Sequence, residues 1–268
     1  MASATILVTN DDGIASPGLH ALAEAMAGLG TVWVVAPDRE RTAVGHALTL
    51  HKPLRLTRVR ARWYAVNGTP TDCVNLAVKH LLPRSPALLV SGVNRGVNLG
   101  DDVTYSGTVS AALEGTILGL PSIAVSQEGQ ERFRFPVAAV YARVVARAVL
   151  QEGLPGETLL NVNVPNLPRR RIKGLRVTRL SRRRFENPII EKVDPHGRQY
   201  FWIAGTRVTW VRQRDSDYAA LRAGYVSVTP LHLDMTYEEV LEGLRAWSVF
   251  RPDRGVSGAQ RGKRGTRP

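Results

Sequence analysis

Cysteine occurs once in the 268 residues, at position 73. That excludes an intrachain disulfide and any cluster of thiolate metal ligands, and leaves Cys73 as a small buried packing residue. No stretch approaches the roughly 18 uninterrupted apolar residues that span a bilayer. The opening MASATILVTN lacks both the basic start and the long apolar core of an export signal. The expectation is a soluble, unexported, cytoplasmic protein without a membrane partner, in which the Asn67-Gly68-Thr69 sequon has no meaning. The P-loop and dinucleotide glycine patterns are missing, as are helix-turn-helix, RNA-recognition and zinc-finger signatures and any internal repeat. Acid is missing locally: residues 169–184 hold nine Lys and Arg and no Asp or Glu.

That local absence explains the net charge of +13. Residues 251–268 add six bases against Asp253, and these two stretches account for the whole excess, so the rest of the chain is near neutral. Concentrated charge of this kind marks a solvated tail or an anion-attracting surface rather than the character of the fold. From 251 onward, glycine, arginine and proline without periodicity predict a disordered basic tail.

What is present is the alternation of an α/β protein. Residues 4–9 and 31–36 are short β-branched runs separated by a helix over 17–28, with Leu19, Leu22, Ala23 and Met26 at helical spacing. Strand, helix, strand in so short a span gives a right-handed parallel unit. Residues 54–66 read as a hairpin or excursion. Thr69-Pro70-Thr71-Asp72 opens a helix running to Leu81. Residues 87–91 and 121–126 are further core strands on either side of a helix over 109–118 whose inner face carries Leu113, Ile117 and Leu118. Beyond 128 the spacing predicts a helix over 136–150 and strands at 159–164, 174–180 and 225–230. A short helix is expected over 215–221, and a capped amphipathic helix over 236–247. Residues 199–203 and 206–211 read as a hairpin turning near Gly205, with exposed aromatics available to a second subunit.

The chemistry gathers where strands end. Residues 4–13, ATILVTNDDG, leave the sheet in an amide, two carboxylates and a glycine. Asp11 and Asp12 repel by roughly 4 kcal/mol if held about 4 Å apart at an effective dielectric near 20, so a cation belongs there. Carboxylate and amide oxygens suit Mg, Ca or Mn. The loop over 37–50 leaves the second strand on the same edge and offers the Thr42 hydroxyl and the His46 imidazole. The next strand runs into Asn94 and Asn98, and Ser106-Gly107-Thr108 starts a helix whose N-terminus suits an anion. Each feature alone has an ordinary explanation as a turn, a cap or a satisfied loop group. Together on one sheet edge they describe a metal in contact with a phosphate.

The segments VTNDDGIASPG, APDRERTAVGHALT, VNGTPTDCV, VSGVNRGVNLGDDVTYSGTVSAALEG and SRRRFENPI resemble, in that order over most of residues 5–247, the SurE family of survival-protein-E type 5′-nucleotidases. The resemblance implies a three-layer α/β/α Rossmann-like sheet, mostly parallel, with a C-terminal extension and hairpin that build a homodimer or homotetramer. The domains it implies are a catalytic core over 1–128, a part over 129–250 that completes the core and forms oligomerisation arms, and the tail over 251–268. It implies one divalent metal ion per subunit, Mg or Mn by ligand type with Ca or Co also open. The implied reaction is hydrolysis of nucleoside 5′-monophosphates, with polyphosphate as a further substrate. Asp11, Asp12 and Asn94 match the family's metal ligands. The fourth is usually serine and here is Thr42, which keeps the hydroxyl and adds a methyl.

In the mechanism expected from these residues, the metal polarises a phosphoryl oxygen and activates water. Asp11 acts as base or water positioner beside Asn94, and Ser106, Gly107 and Thr108 hold phosphate oxygens with help from Asn98. Asp11 as a nucleophile forming an aspartyl-phosphate is the alternative. His232 is either a general acid for the leaving nucleoside or a satisfied structural histidine. The rival class is a nucleic-acid-binding protein using 169–184 and the tail, for which no recognition signature is present.

Overall fold

Ile6 and Val8 leave the backbone on one side and Leu7 on the other, and all three are fully buried. A strand apolar on both faces belongs inside a sheet covered by helices on both sides, which is why the first run reads as continuous rather than alternating. The computed structural model describes residues 4–186, 189–203, 207–211 and 213–250. The elements in chain order are β1 (Thr5–Thr9), α1 (Pro17–Ala27), β2 (Thr31–Pro37), β3 (Leu56–Arg60), β4 (Trp63–Val66), α2 (Pro70–Leu76) and β5 (Leu88–Arg95). They continue with α3 (Gly107–Ile117), β6 (Ser122–Gln127), α4 (Phe135–Glu152), β7 (Thr158–Val164), β8 (Leu175–Val177), β9 (Arg183–Glu186) and β10 (Ile189–Val193). The remainder are β11 (Gln199–Ile203), β12 (Arg207–Trp210), α5 (Asp217–Arg222), β13 (Val226–His232) and α6 (Glu238–Arg245).

The main sheet has nine strands in the order β3-β4-β2-β1-β5-β6-β7-β13-β8. From β4 to β7 all neighbours are parallel, while β3 and the pair β13 and β8 run the other way. One apolar cluster joins Ile6, Val8, Val34 and Val90 to Leu19, Leu22 and Met26 of α1 and Ala142 and Val149 of α4. The other joins Leu7, Val35 and Leu89 to Val74 of α2 and Val109 and Ala112 of α3. The three-layer α/β fold expected from the sequence is the one observed. The chain fills one half of the sheet outward from β1, then returns to lay β5 on the other side of β1, so the crevice between those two strand ends is the topological switch point.

Several local expectations need correction. The buried face of α3 carries Thr108, Ala111, Ala112 and Gly115, while Ile117 is 54% exposed. A Cβ on Gly115 would meet Ser122 Oγ at 2.5 Å and Leu89 Cδ1 at 2.9 Å, so the helix lies close on the sheet through its small residues, while Leu113 and Leu118 are partly buried against the same cluster and only Ile117 of the three expected residues turns outward. The Thr69 capping box is present, but the helix it starts is α-helical only to Leu76 and finishes as a π-turn over Ala77–Leu81. The strand expected over 174–180 is confined to β8, and α6 starts without a side-chain cap. β11 and β12 do not pair with each other: β11 pairs with β10 and β12 with β9. The first of these hairpins turns over 194–198, where Asp194 Oδ1 accepts from the N–H groups of His196 and Arg198. The Gly205 turn and the tail lie outside the described residues.

The chain divides into two compact units at Leu233 and Asp234. In the second, α6 is followed by a short turn in which Trp247 stacks on Phe250. Among the described residues no helix is long and apolar enough to cross a membrane.

Candidate active site

Asp11 and Asp12 follow β1, and the two asparagines Asn94 and Asn98 lie at and beyond the end of β5, so the switch point brings them together. A cavity of about 380 Å³ opens there, lined by Asp11, Asp12, Thr42, Asn94, Asn98 and Ser106. It is also lined by Glu40, Arg95, Asp102 and Tyr105, none of which the sequence singled out. Four carboxylates against one guanidinium make it strongly acidic.

Asp11 is 5% exposed. Its Oδ1 accepts a 2.5 Å hydrogen bond from the Thr108 hydroxyl, and its backbone carbonyl accepts from Arg41 N–H at 2.7 Å. Burial pushes its carboxyl above the ordinary range, against the pull of the Thr108 hydroxyl and N–H. The Thr108 hydroxyl is therefore engaged by Asp11. Gly107 lies against the same residue: a Cβ there would meet Asp11 Cβ at 2.9 Å and Oδ2 at 3.0 Å. Asp12 is pushed up to about 6 by burial and then by the Asp11 charge, with Arg95 opposing.

Ser106 caps α3, its Oγ accepting from Val109 N–H at 3.2 Å, which leaves the hydroxyl proton for another acceptor. Asn94 donates its Nδ2 to the Gly96 carbonyl at 3.0 Å, leaving Oδ1 as acceptor. Thr42 is exposed and donates to Glu40 Oε1 at 2.5 Å, which leaves its lone pairs available. The loop bearing it, residues 38–55, has no regular element and is held by side chains instead. His46 Nε2 lies 2.7 Å from Oε2 of the buried Glu114 on α3, whose Oε1 accepts from Asn75 of α2. Thr69 Oγ1 donates to the Ala47 carbonyl, and Thr49 N–H to Asp72.

Asn98 is fixed from below. Its N–H donates to Asn163 Oδ1 at 2.9 Å, its carbonyl accepts from the amides of Asn161 and Asn163, and its Nδ2 donates to Ser126 Oγ at 2.7 Å. Buried Asp217 then holds the next turn, accepting from Gly100 N–H at 3.0 Å and Ser181 N–H at 2.9 Å. Two asparagines inside the run LLNVNV were a readable signal, because asparagine is depleted in strands and a buried amide needs partners.

The donor set fits a hard cation. Among the described residues no group of three or more His, Cys, Asp or Glu side chains is placed to hold an ion. The oxygens that converge here are instead a mixture of two carboxylates, an amide and a hydroxyl. Asp12 Oδ2 and the neighbouring Asn10 Oδ1 are buried without a hydrogen-bond partner. Buried acceptors in that state call for a cation, and oxygen donors call for a hard one.

His232 does not belong to this set. β13 runs antiparallel to β7, pairing His232 with Thr158 at the start of that strand, so the residue lies at the opposite edge of the sheet from Asp11. Its Nε2 is 3.9 Å from Glu157 Oε2. As a general acid within its own chain it is excluded by the direction of the strand that carries it.

Comparison with known proteins places the chain in a family. The sequence profile of the family described as Survival protein SurE matches residues 6–187. The 5′-nucleotidase SurE of Geotalea daltonii is 54% identical over 91% of this chain and 99% of its own. That of Geobacter sulfurreducens is 54% identical over 93% of this chain and 97% of its own. The crystal structure of the SurE protein from Aquifex aeolicus superposes with a TM-score of 0.83 at 47% identity, covering 90% of this chain and 98% of that one. Likeness this extensive in sequence and backbone admits one assignment: the chain belongs to the SurE family.

Proposed function

We propose that this chain is a 5′-nucleotidase that hydrolyses nucleoside 5′-monophosphates to nucleoside and phosphate, with a divalent cation held by Asp11, Asp12, Asn94 and Thr42. The observation that carries the reading is the acidic cavity at the switch point, lined by Asp12 with its unpartnered buried Oδ2 and by Ser106 at the N-terminus of α3. The relatives named 5′-nucleotidase cover nearly the whole chain, and the reading transfers their activity to it.

When bound, such a cation polarises a phosphoryl oxygen and lowers the pKa of its water. The Ser106 hydroxyl and the Gly107 N–H, reinforced by the dipole of α3, hold phosphoryl oxygens. Asp11 takes the proton of the attacking water at its carboxylate. Thr108 keeps that carboxylate in one orientation. Asn98 lines the cavity from a backbone fixed by Asn161 and Asn163. Arg95 gives Asp12 a partial countercharge.

The finer parts of the reading are one Mg or Mn ion per subunit, with Ca or Co able to substitute, polyphosphate as a second substrate, and a cytoplasmic location. A homodimer or homotetramer is supported by the ribbon β10–β11, whose Phe201, Trp202 and Ile203 are well over half exposed. Residues 129–250 then serve both to complete the sheet, through β7, β13 and β8, and to supply that arm. The nucleic-acid reading is not favoured.

The test is phosphate release from a panel of nucleoside monophosphates and polyphosphate, with and without chelator, across Mg, Mn, Ca and Co. Release from monophosphates that chelator abolishes and one of these ions restores is expected. Undiminished turnover in chelator overturns the metal assignment, and no release with any ion overturns the activity. Trapping a phosphorylated Asp11 peptide during turnover replaces water attack with the aspartyl-phosphate route.

A further inference from the structure

A second cavity, of about 450 Å³, opens on the same edge of the sheet beyond the ends of β6 and β7. It shares no lining residue with the acidic one. Its charged lining is Arg171, Lys173 and Arg222 with Glu128, and its apolar lining includes Pro165, Leu167 and Leu221.

The convergence of these cations follows from the backbone. Ile172 is buried in the core cluster, so Arg171 and Lys173 on either side of it turn outward together. Lys173 N–H donates to the Gly224 carbonyl at 2.9 Å, and Val226 N–H to the Gly174 carbonyl at 2.9 Å, which clamps this segment beside the end of α5 that carries Arg222. Beside the cavity, the Tyr225 ring has Lys173 Nζ 5.8 Å and Arg176 Cζ 3.6 Å from its centroid, an attraction that helps hold the Lys173 side chain in place. None of Arg171, Lys173 and Arg222 is within ion-pairing distance of a carboxylate among the described residues. Glu128 instead accepts from Asn166 N–H at 3.4 Å.

Like charges held around one concavity focus their field into it and concentrate anions there. The volume lies within the range of small-molecule pockets, and an apolar floor with few convergent polar groups is their usual make-up. Guanidinium forks suit phosphate oxygens, the leucines suit a flat apolar body, and Glu128 offers an acceptor to a hydroxyl or amine.

We propose that this cavity is a separate binding site for a phosphorylated small molecule of the nucleoside diphosphate class, distinct from the place where phosphate is released. The site needs no cation, because the protein supplies the positive charge. The proposal goes beyond the hydrolytic reading and stands whether or not that reading holds.

Calorimetric titration of ADP and of pyrophosphate into the full chain, with chelator present, tests it. ADP is expected to bind, to bind at least tenfold more tightly than pyrophosphate, and to weaken as salt is raised. The Arg171→Ala/Lys173→Ala/Arg222→Ala variant should lose at least tenfold in affinity with its melting temperature unchanged, whereas Asp12→Asn should bind within twofold of the parent. Should the triple variant not fold, Lys173→Gln and Arg222→Gln alone should each weaken binding at least threefold. No binding, equal affinity for pyrophosphate, parental affinity in the basic variants, or loss in Asp12→Asn each overturns the proposal.

Discussion

Two cavities on one edge of the sheet, built around neighbouring strand ends, carry opposite charge. Around the ends of β1 and β5, Asp11, Asp12, Glu40 and Asp102 face a single Arg95. Beyond β6 and β7, Arg171, Lys173 and Arg222 face a single Glu128. On the proposed readings, the acidic cavity takes a phosphate only with a cation to neutralise it, whereas the basic one offers its own positive charge to an anion. The comparison teaches that the carboxyl edge of a parallel sheet supplies concavities, and that the residues placed on them decide what each one takes.

The sharpest way to separate the two is Asp11→Asn. Phosphate release should fall by roughly 10²–10⁴-fold, the range for losing a general base, with the melting temperature unchanged or raised because a buried like-charge contact is relieved. Rates and thermal melts check this, and retained turnover removes Asp11 from the chemistry. Gly107→Ala should come next. The added methyl would sit 2.9 Å from Asp11 Cβ, and displacement of a reacting group by about 1 Å costs on the order of a hundredfold. Steady-state rates should show the loss in kcat, although no catalytic group has been removed.

His46→Ala probes the acidic cavity through its loop. It leaves the buried Glu114 with only Asn75, and losing a hydrogen bond to a charged group costs roughly 1.5–3 kcal/mol. An approximately tenfold weaker apparent affinity for the activating cation is expected, with His46→Gln recovering most of it. A melting temperature that falls while cation affinity stays put would make the contact purely structural.

The smallest effect is in pH. Asp12 is pushed up to about 6 from 3.8, so between those values the folded chain holds a proton that the unfolded chain has released. Its stabilising contribution is complete below about pH 4 and is lost as pH rises through about 6. A bound cation reverses that penalty, so the gain in melting temperature on adding Mg or Mn should be slight near pH 4 and grow to a few degrees by pH 7. Asp12→Asn should flatten the dependence.

The sequence made the sheet and its helices legible because their signal is local. The runs at Ile6–Val8 and Leu88–Val90, the 3.6-residue spacing of Leu19, Leu22 and Met26 and the Thr69 capping box each occupy one short window. Asp11, Asp12, Thr42, Asn94, Asn98 and Ser106 were also legible, because each stands where an apolar run ends or a helix begins, and the structure places all six around one cavity. Less legible were the pairings that span long separations. His46 and Glu114 are 68 residues apart, and nothing in either window names the other. The partners of β11 and β12 were misread because a strand's sequence reports its own pleat and not which strand lies beside it.

By itself, then, the sequence determined which segments are strands and helices, which residues carry oxygen or positive charge, and that the acids cluster after the first strand. Tertiary structure alone decided that β13 runs backward and removes His232 from the reaction edge, that Thr108 serves Asp11, and that Arg171, Lys173 and Arg222 share a cavity. The reason is physical: backbone periodicity is fixed by neighbours a few residues away, whereas strand direction and charge convergence depend on packing between segments far apart in the chain.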